Sequence, residues 1–455
     1  MPAAVARRAG RGGPPTARAG RKRDGSETRR PARSRAQQSL EQRMLLTATL
    51  CLLAFGAVMV YSASSASTLL QGRGNGSGYL VRYLLYGSIG LLIMRLLARD
   101  GVRLLTRITG PLLGVCFVLV LAVHVPHIGV SVNGARRWLG TGPLQFQPSE
   151  LMKLALVLYA AALLARRPER VHDLRELVNP LIVVVAAAAL LIVTQPDLGT
   201  ALVIAFTVTA MLVAAGVSLR TMAVIAGAAL AVVVLYALVR PYARARLTSF
   251  LNPWAHAAGS GFQAVQGQIA IGSGGLFGVG PGQSVQKIFY LPEAPTDFIL
   301  AVIAEELGVV GVCALMFLYG LIAYAGLRTA KAARSLYSAL LAVGVTSLIV
   351  SQALLNTCAV LGLAPLTGVP LPFVSYGSSS LIVMLASMGL LMNVAAGGSA
   401  HVRLLPVPRQ RALDARGREQ ARWAREASSG QSGDRSGGNR GARRSGAGRG
   451  RRAAS

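Results

Sequence analysis

Ten apolar stretches, each long enough to cross about 30 Å of hydrocarbon, begin near residues 44, 79, 109, 150, 178, 198, 219, 297, 336 and 373. They leave the chain few folds to adopt. A soluble domain is roughly one quarter charged, whereas residues 44–400 hold 31 charged groups in 357 positions. Such a segment is stable only where most of its surface meets lipid or itself. The apolar runs are continuous rather than alternating, which disfavours an outer-membrane barrel. The chain therefore reads as all-α: a polytopic integral membrane protein with ten transmembrane helices and disordered basic termini.

The net charge of +30 is concentrated at the ends. Residues 1–43 carry 12 basic and 3 acidic groups, and residues 401–455 carry 14 and 4. Both segments are rich in Arg, Gly, Ala and Ser and lack apolar periodicity, which predicts disorder. No RNA- or DNA-binding fold accompanies this charge, so anionic membrane headgroups are the expected partner and no nucleic acid is expected. This gives a tail at 1–43, a membrane domain at 44–400 and a second tail at 401–455. The first apolar run has basic residues before it and SASSAS after it, as a signal peptide would. It is too long for that, and the chain stays hydrophobic afterwards, so it reads as an uncleaved anchor. One set of short loops holds Arg95, Arg99, Arg103, Arg107, Arg166, Arg167, Arg170, Arg175, Arg220, Arg328, Lys331 and Arg334. The excess of positive charge places this set, and with it both tails, in the cytoplasm. The long loop 240–296 is then external. Cys51, Cys116, Cys313 and Cys358 lie singly in apolar runs and read as small core residues. No Walker-type phosphate loop occurs, so an ATP-driven pump would need another subunit.

Ionisable groups inside or at the ends of spans are costly and tend to be functional. Asp197, in TQPDLGTAL, stands where a helix-capping carboxylate would stand, and that structural role is preferred for it. The segment LPEAPTDFILAVIAEELG is different, because Glu293, Asp297, Glu305 and Glu306 all fall within it. Asp297 would sit about two helical turns, near 12 Å, above Glu305 on the same face. Capping alone does not place carboxylates at depth, so this segment is favoured as functional. Three further stretches attract notice. GFQAVQGQIAIGSGGLFGVGPGQSVQK is glycine-rich and too polar for a span. GARRWLGTGPLQFQPSELMKLALVLY places Glu150 and Lys153 in the first turn of a helix, spaced either for an i,i+3 ion pair or to present Lys153 to a lipid diphosphate. LAPLTGVPLPFVSYGSSSLIVM joins three prolines to a Gly/Ser cluster, and its backbone must break the helical pattern against protein or a water-filled cavity.

Taken together, QPSELMKL, QPDLGTALVI, GGLFGVGPGQSVQKIFYLPEAPTDFI, AEELGVVG and PLPFVSYGSSS closely resemble the SEDS family of bacterial cell-wall proteins, in order and over residues 44–400. YLPEA before the TDF triplet is more similar to the division and sporulation members than to the elongation member. Pro295 stands where the family usually has His, and Ser378 where it has Gly. The resemblance implies a peptidoglycan glycosyltransferase of the bacterial inner membrane that polymerises lipid II. It also implies a class B penicillin-binding protein, a transpeptidase of the division complex at the septum, as partner. Asp297 matches the proposed catalytic residue of the TDF triplet. Lys153 and Arg137 match positions implicated in handling the lipid substrate. Glu150, Glu293, Lys287, Ser375 and Gly377 complete the expected substrate-binding set. A divalent cation, Mg or Mn, is also implied, with ligands unknown.

Joining lipid II units converts an α-linked diphosphate sugar into a β-1,4 bond, which requires inversion by in-line attack of an acceptor hydroxyl. One carboxylate acting as general base can take that proton, while the departing diphosphate needs positive charge. Two other functions share many of these features. A lipid II flippase would also need broken helices and basic groups, but transporters usually bind at mid-bilayer rather than at an outer face. A scaffold that merely holds a transpeptidase leaves the membrane carboxylates unexplained.

Overall fold

The computed structural model describes residues 35–72, 76–132, 135–140, 145–166, 181–239, 241–288 and 290–399. Most of the two expected tails, and the basic loop with Arg167, Arg170 and Arg175, lie outside the described residues. The described residues form eleven α-helices and one hairpin. They are α1 Arg35–Leu70, α2 Gly78–Ala122, β1 Gly129–Val132, β2 Ala135–Leu139, α3 Pro148–Arg166, α4 Val183–Thr194, α5 Leu198–Ala214, α6 Leu219–Val239, α7 Pro241–Leu251, α8 Phe262–Gly274, α9 Ile299–Ala332, α10 Leu336–Val360 and α11 Ser378–Ala395. Helix α1 thus starts nine residues earlier than the hydropathy places it, inside the segment expected to be tail.

The chain is a multi-pass membrane protein. Six helices, α1, α2, α3, α9, α10 and α11, are long and apolar enough to cross a membrane, and α4, α5 and the first part of α6 are shorter apolar helices. The ten expected spans do not appear as ten separate helices. The starts near 79 and 109 both fall in α2, a single helical run of 45 residues that would be about 67 Å long if straight. It is not straight. The Tyr83 hydroxyl near its start donates to the Phe373 carbonyl at 2.5 Å, and the Val120 carbonyl near its end accepts from the Gln195 carboxamide at 2.9 Å. Both contacts lie at the end of the bundle that holds Asp297. Midway, the carbonyls of Ala98 and Arg99 accept from Asn393 at the far end of α11. The run therefore descends and returns, turning close to Gly101. Two spans of opposite direction thus share one helical stretch, with the turn dipeptide Asp100-Gly101 at the bend.

The core lies where the first arm of α2, α3 and α10 close around α11, whose side chains are almost all buried. Helix starts follow local chemistry. The Asp197 side chain accepts the Thr200 amide at 3.2 Å to begin α5, and Ser335 does the same for the Ser338 amide at α10.

The segment 240–296 holds α7 and α8, and α8 packs down the bundle beside α9. Glycine permits this approach: a Cβ at Gly274 or Gly278 would collide with the carbonyl oxygens of Ala304 or Glu306. The two chains exchange backbone hydrogen bonds where α9 breaks at Gly308, which has φ +66°. Val279 and Gly280 donate to Glu305 and Glu306 at 2.9 and 3.1 Å, and Val309 and Val310 donate to Gly275 and Leu276 at 3.1 and 3.2 Å. Non-helical backbone at membrane depth requires such pairing, since lipid offers no hydrogen bonds.

Candidate active site

Asp297 sits one residue before the N-cap of α9, at the mouth of the bundle. Its Oδ1 accepts the Thr296 hydroxyl at 2.6 Å, and the same hydroxyl lies 2.9 Å from the Glu293 carboxylate. Two carboxylates therefore flank one Thr. Burial pushes the Asp297 carboxyl above the ordinary carboxylate range; the Thr296 hydrogen bond works against this, Glu293 adds to it and the Arg246 charge opposes it. The result is an acid more basic than a free Asp.

The other oxygen of Asp297 faces a cleft bounded by the loop between α10 and α11. Gly368 in that loop has φ +68° and no side chain, and a Cβ there would stand 3.5 Å from Asp297 Oδ2 and 3.9 Å from Arg137 Nη1. The Asp297 carboxylate and the Arg137 guanidinium thus both reach the same glycine, where a side chain would contact each of them. Arg137 is aimed by two backbone carbonyls: its Nε donates to Gln195 at 3.0 Å and its Nη2 donates to Pro196. Hairpin β1–β2, the turn before α5, the head of α9 and the α10–α11 loop converge here.

Two polar residues of α10, four apart and so on one face, hold this loop in place. Asn356 donates from Nδ2 to the Asp297 carbonyl at 2.8 Å and to the Val369 carbonyl at 2.9 Å. Gln352 donates to the Pro370 carbonyl at 2.9 Å and accepts from the Lys153 ammonium at 2.6 Å. Both were missed in the sequence reading. Their signal was present: polar side chains in SQALLNTC, inside an otherwise apolar span.

The expected substrate-binding residues divide into groups. Arg137 and Glu293 lie beside Asp297. Lys153 and Glu150 form the i,i+3 ion pair, 2.9 Å apart and fully buried, linked to the site through Gln352. Ser375 is buried within the α10–α11 loop, where its hydroxyl accepts the Leu371 amide at 2.8 Å, and Gly377 opens α11. Lys287 lies elsewhere. Its ammonium meets Glu306 at 2.7 Å, Ser62 at 3.1 Å and the Gly282 carbonyl at 2.7 Å, which uses all three of its protons. It is a tether for the glycine-rich segment. Asp197 has the capping role expected of it and also accepts from Gln147 and Ser149, at 3.1 and 3.4 Å.

The whole membrane region, residues 42–399, matches the family model of the FtsW, RodA and SpoVE cell cycle proteins. The chain belongs to that family. It is 40% identical over 351 residues to stage V sporulation protein E of Bacillus subtilis, covering 77% of this chain and 96% of that one. It is 42% identical over 356 residues to a probable peptidoglycan glycosyltransferase FtsW of Coxiella burnetii, covering 77% and 95%. Among solved structures it is similar to a chain from a peptidoglycan synthase complex that coordinates polymerization and crosslinking, with 33% identity, TM-score 0.64, and 77% and 96% covered. It is also similar to the rod shape determining protein RodA of Thermus thermophilus, with 30% identity, TM-score 0.57, and 78% and 97% covered. Membership in this family extends over every element that builds the cleft.

Among the described residues no group of three or more His, Cys, Asp or Glu side chains is placed to hold a metal ion. The Asp297 and Glu293 carboxylates around Thr296 are a two-carboxylate donor set. That suits a magnesium-type ion shared with substrate phosphate oxygens rather than one caged by protein alone.

Proposed function

We propose that this chain is a peptidoglycan glycosyltransferase that polymerises lipid II, with Asp297 as general base. The observation that carries this reading is the meeting of the Asp297 carboxylate and the Arg137 guanidinium at Gly368. A carboxylate raised in basicity by burial can take the proton of an acceptor sugar hydroxyl as that oxygen attacks the anomeric carbon of the donor. The donor's bond to its diphosphate breaks on the opposite face, inverting α to β. Arg137, already oriented by the Gln195 and Pro196 carbonyls, offers its remaining protons to the charge that develops on the leaving group. Asn356 fixes the backbone at Asp297, so the base is positioned before substrate arrives. Asp297 and Glu293 would be the residues to hold a divalent cation, which would supply positive charge to the leaving diphosphate.

The charge distribution of the short loops supports a chain with both termini cytoplasmic and Asp297 at the outer face, where lipid-linked donors are consumed. A class B penicillin-binding protein of the septal division complex is the proposed partner, by likeness to the synthase complex. The decisive test is reconstitution of the purified chain with this partner and lipid II in liposomes. Glycan strands separated by size are expected. A preparation that makes no polymer yet moves lipid II between leaflets would replace the polymerase with a flippase.

A further inference from the structure

A second cavity adjoins the cleft and is used by nothing in the mechanism above. It measures about 220 Å³ and lies between α7, α8 and the first part of the α10–α11 loop. Its walls are hung on the two strands of chain that make the active site. Arg246 Nη1 donates to the Leu366 carbonyl at 2.8 Å, two residues before Gly368. Gln263 Nε2 donates to the Pro292 carbonyl at 3.3 Å, one residue before Glu293. The cavity walls are thus tied to backbone one or two residues along the chain from Glu293 and Gly368.

The lining is chemically specific. Phe250 and Pro253 supply flat carbon faces, Gln263 and Gln268 supply carboxamides, and no carboxylate lines it. No hydrogen bond holds the half-buried Gln268 carboxamide among the described residues, which leaves it open to a ligand in the cavity. A primary carboxamide can donate to an acetamido carbonyl and accept from its N–H at once, a match that neither a phosphate nor an alkyl chain provides. Arg246 gives one Nη1 proton to Leu366, and no second cation lines the cavity to share the charge of a diphosphate, so a neutral ligand suits it better. Carbon faces beside amides and hydroxyls are the surroundings that a sugar ring with an N-acetyl arm requires.

From this lining we infer that the cavity is a binding subsite for one N-acetylated aminosugar ring of the glycan, next to the ring that reacts at Asp297. The inference rests on the glycosyltransferase reading and deepens it, by giving the strand a second hold beside the base. Such a hold would keep a growing strand in register between additions.

The test uses the full chain in lipid nanodiscs and a soluble, uncharged probe, the β-1,4-linked trimer of N-acetylglucosamine. Binding is followed by saturation-transfer NMR, with pyrophosphate as a second probe and glycan synthesis from lipid II scored separately on the same preparation. Gln268→Met keeps length and removes the carboxamide; it is expected to weaken trimer binding about tenfold. Ala264→Phe fills the cavity from α8 and is expected to abolish binding, with thermal unfolding confirming that each variant is folded. A trimer that binds the wild type and both variants equally, or binds none of them while the wild type makes polymer, overturns the subsite. Displacement of the trimer by pyrophosphate assigns the cavity to the leaving group instead and also overturns it. Trimer binding that responds to both variants in a chain that makes no polymer keeps the sugar site and removes the polymerase reading, so the two failures are distinct.

Discussion

Helix α9 carries carboxylates at two levels, and they have opposite surroundings. Two turns inside the bundle, every oxygen of Glu305 and Glu306 is satisfied. Glu305 accepts the Ser284 hydroxyl at 2.5 Å and the Val285 and Gln286 amides at 3.0 and 3.4 Å. Glu306 accepts Lys287 at 2.7 Å and the Ser62 hydroxyl at 2.6 and 2.8 Å. At the mouth, Asp297 has one oxygen tied to Thr296 and one facing an open cleft with Arg137. Along α9, depth in the membrane therefore does not distinguish the proposed base; incomplete satisfaction does. The deep pair has the capping role that the sequence reading set aside for carboxylates at depth. It caps a returning loop rather than a helix start, and anchors the glycine-rich segment where α9 breaks.

The sharpest way to break this contrast is Asp297→Asn. Asn still accepts the Thr296 hydroxyl but takes no proton, so glycan synthesis with lipid II and partner should fall by about 10²- to 10⁴-fold. The thermal midpoint should move little. Near-normal polymer yield would remove Asp297 as the base. The opposite pattern is expected at depth. Glu306→Ala leaves the Lys287 ammonium buried without its partner, which costs about 3–5 kcal/mol and should lower the unfolding midpoint markedly. Adding Lys287→Met should recover most of that stability. A single Glu306→Ala variant with wild-type stability and lost activity would show that the deep pair is chemical after all.

A smaller effect should come from Asn356→Ala, which frees the Asp297 carbonyl and loosens the base. A loss of about tenfold in kcat with KM little changed is expected, the energy of one or two hydrogen bonds. Equal changes in kcat and KM would instead mean that the α10–α11 loop has collapsed as a whole. The smallest effect belongs to Asp197→Asn. Asn caps helices as well as Asp does, so activity should stay within about threefold of wild type and stability within about 1 kcal/mol. A loss there as large as at Asp297 would make the turn before α5 part of the chemistry.

Residues close in sequence were legible before any fold was known. The TDF triplet before an apolar run located Asp297 at a helix start and TQPDLGT gave the Asp197 cap, because each needs only the local helix, while the i,i+3 spacing of Glu150 and Lys153 allowed an ion pair without separating it from a Lys153 that faces a lipid diphosphate. The partners that occupy the Lys287 ammonium and the Ser375 hydroxyl leave no mark on sequence spacing. Ser62 is 244 residues from the Glu306 it bonds, and Asn356 is 59 from Asp297.

By itself the sequence determined a chain that must live in a membrane, because transfer free energy adds up residue by residue along each apolar run. It also determined where helices start and which acids stand at their ends. Only the tertiary structure decided that α2 turns back on itself, that the glycine-rich segment descends beside α9, and that one carboxylate of four is left facing an open cleft toward a guanidinium. Those outcomes depend on which hydrogen-bond donors reach each oxygen, and the donors come from segments that only folding brings together.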